Sequence, residues 1–280
     1  MSDLETLNDS ASRFSRQVSS GKKLNQLKDS PSGSADLVSL SELASEVDQY
    51  QSNTNSGSLY MKTADSALNE VNNLVTSIYT KGSQASADTV NAGDRSALAN
   101  DIRSLREQIV SLANSQVNGR YLFAGSLVTK PAFDLTGDTV TYNGDSSVST
   151  MPIDKGTEVQ MNFAGDAVFG SIFSSIDSLL AGLDGNDVDS IKASLTQFTS
   201  TISDLGQTRA QVGTNMTFIN NIQSHLNSQQ TSIKEQRSNV EDADMAQAVV
   251  QMNQTQTALQ TAMTAGGTIL NQRNLFDILG

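Results

Sequence analysis

The chain has 280 residues, 37% hydrophobic and 5% aromatic, with no Trp, no Cys and a formal charge of −12 at pH 7. Such a polyanion, without any Lys/Arg cluster, repels nucleic acid, and the lack of Cys excludes disulfides and thiolate zinc sites. No apolar run approaches the roughly 18 residues of a membrane span, so no membrane partner is expected, and the N-terminus lacks the succession of a cleaved signal peptide.

Leu4, Leu7, Ala11, Phe14 and Val18 alternate steps of three and four and predict an amphipathic first helix. It ends at Ser19-Ser20-Gly21, where glycine can close a helix in the left-handed conformation. Ser30 can cap, and Pro31 can begin, a second helix. Its seam of Leu40, Leu43, Val47, Tyr50, Thr54, Gly57, Met61, Ala64, Leu68, Val71, Val75 and Ile78 holds register over about five heptads, as a bundle or coiled coil requires. Thr54 and Gly57 are its weak middle, where a bend or a close neighbour is expected. Residues 82–93 read as a loop, with Asp94 capping a third helix whose seam is Leu98, Ile102, Leu105, Ile109 and Leu112.

The pattern changes at Asn118-Gly119. Tyr121-Leu122-Phe123-Ala124-Gly125 has strand character, Thr139-Val140-Thr141-Tyr142 runs into the hairpin signal Asn143-Gly144, and residues 148–153 and 159–163 alternate like further strands. Helical spacing returns with Ile172, Phe173, Ile176, Leu179, Leu180 and Leu183. The longest register follows, from Ile191 to Val240, interrupted by Arg209, Gln223, Gln230 and Arg237, polar intrusions of the kind that fix register. In the C-terminal helix Met245, Met252, Leu259 and Gly266 recur every seven residues. Between them lie Ala248/Val249, Thr255/Gln256, Ala262/Met263 and Ile269/Leu270.

The chain is therefore read as mainly α: an elongated helical bundle or coiled coil formed by the N- and C-terminal halves, with a small inserted β module. Residues 1–30 and 241–280 are expected to be terminal helices that order on assembly, because their few seam side chains gain less by burial than ordering the two segments costs. Residues 31–126 and 166–240 form the bundle, and 127–165 the β module. The candidate assembly seam is Leu4, Leu7, Ala11, Phe14, Val18, Met245, Val249, Met252, Leu259, Met263 and Leu270.

No catalytic set, cofactor loop or metal site is read here, and no enzyme is expected. The sole His225 is a flanking or partly buried rod residue. Glu241, Asp242 and Asp244 stand at a helix start, where acids favour the dipole. The stretch Asp184-Gly185-Asn186-Asp187 with Asp189 misplaces the glycine and terminal Glu of a calcium loop.

The run Ser20-Gly21-Lys22-Lys23-Leu24-Asn25, followed by Lys28-Asp29-Ser30-Pro31-Ser32-Gly33, resembles the N-terminal signature of bacterial flagellins and their relatives. Thr63-Ala64-Asp65-Ser66-Ala67-Leu68-Asn69, Asp94-Arg95 and Asp242-Ala243-Asp244-Met245-Ala246 are similar to other runs of that family. Gly119-Arg120-Tyr121-Leu122-Phe123-Ala124-Gly125-Ser126, with Pro131 and Phe133, and then Tyr142-Asn143-Gly144-Asp145, is most similar to its hook-filament junction branch. The signature residues are thus Gly21, Lys22, Asp29, Pro31, Tyr121, Phe123, Gly125, Tyr142 and Gly144.

The resemblance implies paired terminal helices lining a tube, an outward β domain, and export through the flagellar type III apparatus aided by a chaperone. It also implies self-association and contacts with the first hook-associated protein and with flagellin, outside the cell. Family members carry several more residues before the segment matching Leu4, which implies either a trimmed start or reduced contacts at that end. A small flagellin that forms the filament itself, and a non-flagellar helical scaffold, are the alternatives.

Overall fold

The computed structural model describes the backbone of residues 2–26 and 29–278 and the side chains of 4–26 and 29–268. Six helices dominate: α1 (Ser2–Ser20), α2 (Pro31–Ala85), α3 (Ala92–Ala113), α4 (Gly165–Asp184), α5 (Val188–Glu241) and α6 (Met245–Ile278). Between α3 and α4 lie three antiparallel pairs: β1 (Gln116–Val117) with β2 (Arg120–Tyr121), β3 (Phe133–Thr136) with β4 (Thr139–Tyr142), and β5 (Thr150–Asp154) with β6 (Thr157–Gln160). This is the mainly α fold with a small β region that the periodicity predicts. The contacts divide it into a central unit, Asp48–Leu226, and a terminal unit, Met1–Val47 with Asn227–Gly280.

In the central unit α2 and α5 run antiparallel. A Cβ on Gly82 would meet Leu195, and one on Gly57 would meet Ile219 Cδ1 at 3.2 Å. Arg209 pairs with Asp65 at 3.4 Å and Gln223 donates to Asn55 Oδ1 at 2.6 Å. Ile191, Phe198, Leu205, Val212, Ile219 and Leu226 recur at every seventh position and are all buried. Opposite them Met61, Ala64, Leu68, Val71, Val75 and Ile78 are buried on α2. Such heptads present one stripe per helix to the partner. Gly57 marks a close neighbour; α2 passes it as one unbroken helix.

Helix α2 continues beyond Gly82 to Ala85, so the loop is shorter than the sequence suggests. Asn91 rather than Asp94 caps α3, its Oδ1 accepting from Asp94 N–H at 2.9 Å, while Asp94 occupies the first turn. The guanidinium of Arg95, itself buried, closes the loop by donating to the carbonyls of Ala85 and Ala87 and to Asn186 Oδ1. Leaving those groups unpaired in a dry site would be costly.

Asn143-Gly144 makes no hairpin. The β3–β4 turn is Gly137-Asp138, with Gly137 at φ +63°, and Asn143 N–H instead donates to the Ala132 carbonyl at 2.8 Å. The positive-φ pair that does turn a hairpin is Asn118-Gly119, between β1 and β2. Tyr121 to Gly125 is strand only at Tyr121.

By length and composition α4 is apolar enough to cross a membrane, contrary to the expectation that no run comes close. Here it packs on α3, with Ile172, Phe173, Ile176, Leu179, Leu180 and Leu183 all buried in the core.

Candidate assembly surfaces and signature joints

The chain's two ends meet in the terminal unit. Helix α1 packs on α6, and the segment after α1 grips the break between α5 and α6. Gly21, at φ +71°, accepts from Ala243 N–H at 2.9 Å, and Lys23 N–H donates to the Glu241 carbonyl at 2.7 Å. The Lys22 ammonium pairs with the Glu241 carboxylate, which Arg237 approaches to 3.5 Å. Lys23 Nζ reaches the Asn239 carbonyl at 2.9 Å. With both backbone and charge engaged, the joint fixes where α6 departs, antiparallel to α1.

Asp244 caps α6 by accepting from Ala246 and Gln247 N–H at 3.0 and 3.1 Å. Its acidic neighbourhood is thereby a helix start. Asp29 Oδ2 accepts from Asn25 and Gln26 N–H, turning the chain toward Pro31. Ser30 Oγ accepts from Gly33 N–H at 3.2 Å, and the Leu24 side chain lies over Gly33. Gly21, Lys22, Asp29 and Pro31 therefore belong to one folded joint.

The other signature residues form a joint in the central unit. Phe133 lies 5.0 Å from Tyr142, 5.5 Å from Phe169 and 5.2 Å from Phe173, and Phe123 stands edge-on to Phe169 at 4.9 Å. The Tyr142 hydroxyl donates to the Asp145 carbonyl at 2.8 Å, lies 3.2 Å from that of Phe123, and accepts from Gly165 N–H at 3.2 Å. Burial pushes its phenol pKa up.

Gly125, at φ +66°, has no room for a side chain: a Cβ would stand 2.1 Å from the Asp145 carbonyl oxygen. Gly144 is closed off likewise by Tyr142 Oη and Ala124 O. The Asp145 carboxylate accepts from the hydroxyl and N–H of Ser126 and from Ser147 N–H, bonds that hold its pKa below the usual carboxylate value. Tyr121 N–H, in β2, donates to the Val128 carbonyl at 2.9 Å.

A third knot was not legible in the sequence. Arg106 on α3, almost wholly buried, reaches Asp138 Oδ1 at 2.7 Å, the Asp138 carbonyl at 2.7 Å and Asp177 at 3.2 Å. Arg103 pairs with Asp184 at 2.6 Å and Asp138 at 3.4 Å. The bond from Arg106 lowers the Asp138 pKa, and the bond to Asp184 raises that of Arg103. Only the seam spacing of α3 was visible, and these arginines stand beside that seam.

The expected assembly residues divide by face. Leu7, Ala11, Phe14 and Val18 on α1 are half-buried, whereas Leu4 is 39% exposed. On α6 the sheltered stripe is Ala248, Met252, Thr255, Leu259, Ala262 and Gly266, with Ala248 fully buried. Met245, Val249 and Met263 remain outside it and exposed. Of Ala248/Val249, Thr255/Gln256 and Ala262/Met263, the smaller residue is the sheltered one, which lets backbones approach closely. The Leu270 side chain lies outside the described residues.

His225 is exposed, and Asp187 is occupied as a cap, accepting from Asp189 and Ser190 N–H and the Ser190 hydroxyl. Among the described residues no group of three His, Asp or Glu is placed to hold a metal.

With its two ends folded on one another, α1 against the small-residue stripe of α6, the chain is a mainly helical protein closed by its own termini. The model of the bacterial flagellin N-terminal helical region matches residues 1–127 and that of the C-terminal helical region residues 188–279. The chain belongs to the bacterial flagellin family. It is 25% identical to flagellar hook-associated protein 3 of Salmonella typhimurium, over 89% of this chain and 87% of that protein. A Clostridium tyrobutyricum flagellin is 27% identical over 74% of this chain, but over only 58% of its own length. The fold is similar to that of the flagellar junction protein FlgL from Legionella pneumophila, with a TM-score of 0.62 at 13% identity over 74% of this chain and 99% of that one.

Proposed function

We propose that this chain is a structural adaptor of the bacterial flagellum at the hook-filament junction, joining the first hook-associated protein to the flagellin filament. The observation that carries this reading is the match to hook-associated protein 3 over nearly the whole of both chains, where the flagellin relative extends well beyond it. The α1–α6 pair offers its outer faces to neighbouring copies in a ring, with Leu4, Met245, Val249 and Met263 exposed there; Leu7, Ala11, Phe14, Val18, Met252 and Leu259 close the pair itself, and Leu270 completes the assembly set. Export precedes assembly, with a chaperone engaging the C-terminal region. Its role is geometric and non-enzymatic: seams at both ends match the packing of tube subunits.

The test is gene deletion in the parent bacterium. Hooks should persist while flagellin is shed unattached into the medium, and the restored gene should return filaments. Normal filaments on the deletion strain overturn the adaptor. Growth of the purified chain into long tubes on filament seeds would make it a flagellin instead.

A further inference from the structure

With neither Cys nor Trp in the chain, methionine sulfur is its most readily oxidised side-chain atom. The methionines are not equally reachable. Met61 is fully buried and Met161 is 7% exposed, while Met151, Met216 and Met252 are half-buried. Met245 and Met263 are 42% and 56% exposed, and both lie on α6.

They stand 18 residues apart, about five turns and about 27 Å along the helix, and therefore on the same side. That side borders the stripe sheltered by α1 and includes the exposed Val249. All the strongly exposed thioether among the described residues is thus gathered on one edge of the helix assigned to assembly.

We propose that Met245 and Met263 are oxidant-sensitive modification sites, and that their conversion to sulfoxide stops the free subunit from assembling; the second part rests on the reading of α6 as an assembly helix. Hydrogen peroxide transfers one oxygen to the sulfide, forming the S=O bond as the O–O bond breaks. Sulfur loses two electrons and the remaining oxygen leaves as water. A flexible apolar side chain becomes polar and chiral, and a helix edge that must pack dry against a neighbour acquires a strong acceptor with no donor opposite. Subunits already assembled, with that edge covered, are protected.

Two measurements test this. The purified full-length chain is treated with hydrogen peroxide and mapped by peptide mass spectrometry. Met245 and Met263 should gain oxygen at least about tenfold faster than Met61 and Met161, since susceptibility follows exposure; equal rates overturn the site assignment. Separately, the deletion strain carries the gene with Met245→Gln and Met263→Gln, a polar stand-in for sulfoxide. Attached filaments per cell should fall at least about tenfold relative to the wild-type gene, with the variant still found in the medium, as loss of an apolar contact predicts. Wild-type filament numbers overturn the coupling to assembly. A deletion strain that keeps its filaments without any gene instead sinks the adaptor reading, and this coupling with it.

Discussion

Replacing Tyr142 with Phe removes one oxygen from the aromatic joint and changes nothing else in volume. That oxygen donates to the Asp145 carbonyl at 2.8 Å and accepts from Gly165 N–H at 3.2 Å. Gly165 N–H keeps its bond to the Phe123 carbonyl at 2.9 Å, so the Asp145 carbonyl suffers the main loss. A net hydrogen bond contributes about 1 kcal/mol, and an orphaned, half-buried acceptor brings the expected loss to about 1–2 kcal/mol. For a unit of this size that is a fall in Tm of about 2 to 8 °C.

The five tyrosines, Tyr50, Tyr60, Tyr79, Tyr121 and Tyr142, all lie in the central unit. In a chain without Trp, tyrosine emission therefore reports that unit alone, and four reporters survive the substitution. The assay is urea unfolding followed by tyrosine emission, with Tyr79→Phe as comparator outside the joint. A Tyr142→Phe loss within about 0.5 kcal/mol of the comparator, below a typical net hydrogen bond, would refute the assignment of the hydroxyl as the partner that holds the Asp145 carbonyl in the joint.

Gly125→Ala should be far worse than Gly119→Ala. Both hold positive φ, but only Gly125 has a backbone oxygen where the Cβ would go, so about 3 kcal/mol is expected against about 1, read from the same urea curves. Asp138, Asp145 and Asp187 all have lowered pKa values. Their stabilisation is complete above the ordinary carboxylate value near 3.8 and is lost as pH falls from there through the lower folded values, so urea midpoints should drop from pH 5 to pH 2.5 and Asp145→Asn should flatten that slope. Truncation after Glu241 should leave tyrosine-monitored melting within about 0.5 kcal/mol of the full chain, as expected for a change outside the central unit, while abolishing filament attachment. Hydrogen exchange should find residues 245–268 of the free subunit far less protected than residues 205–219; equal protection would refute assembly-dependent order at the termini.

The seams were legible because a period of seven is a local property of sequence. Ile191 to Leu226 and Met61 to Ile78 could be placed on their buried faces without any partner in view. What periodicity could not decide was which of two adjacent residues faces inward: Ala248 against Val249, and Ala262 against Met263, differ by one helical step. The contact with α1 settles it in favour of the smaller side chain.

Asn143-Gly144 misled for a different reason. Its local preference for a turn is real, but the backbone there is committed to Ala124, Ala132 and the Tyr142 hydroxyl, and Gly137-Asp138 turns the chain instead. Arg106 and Asp138, 32 positions apart, carry no local pattern at all. Lys22 and Glu241, at opposite ends of the chain, were invisible as a pair for the same reason.

A repeat that returns every seventh residue is degenerate: the spacing of the apolar stripes alone would allow α5 to shift along α2 by one heptad, about 10.5 Å. Arg209 opposite Asp65 and Gln223 opposite Asn55 remove that degeneracy, since a shifted pairing strands a guanidinium and an amide against the wrong neighbours. Without those two pegs, the same apolar stripes would offer a folding chain several nearly equal resting places.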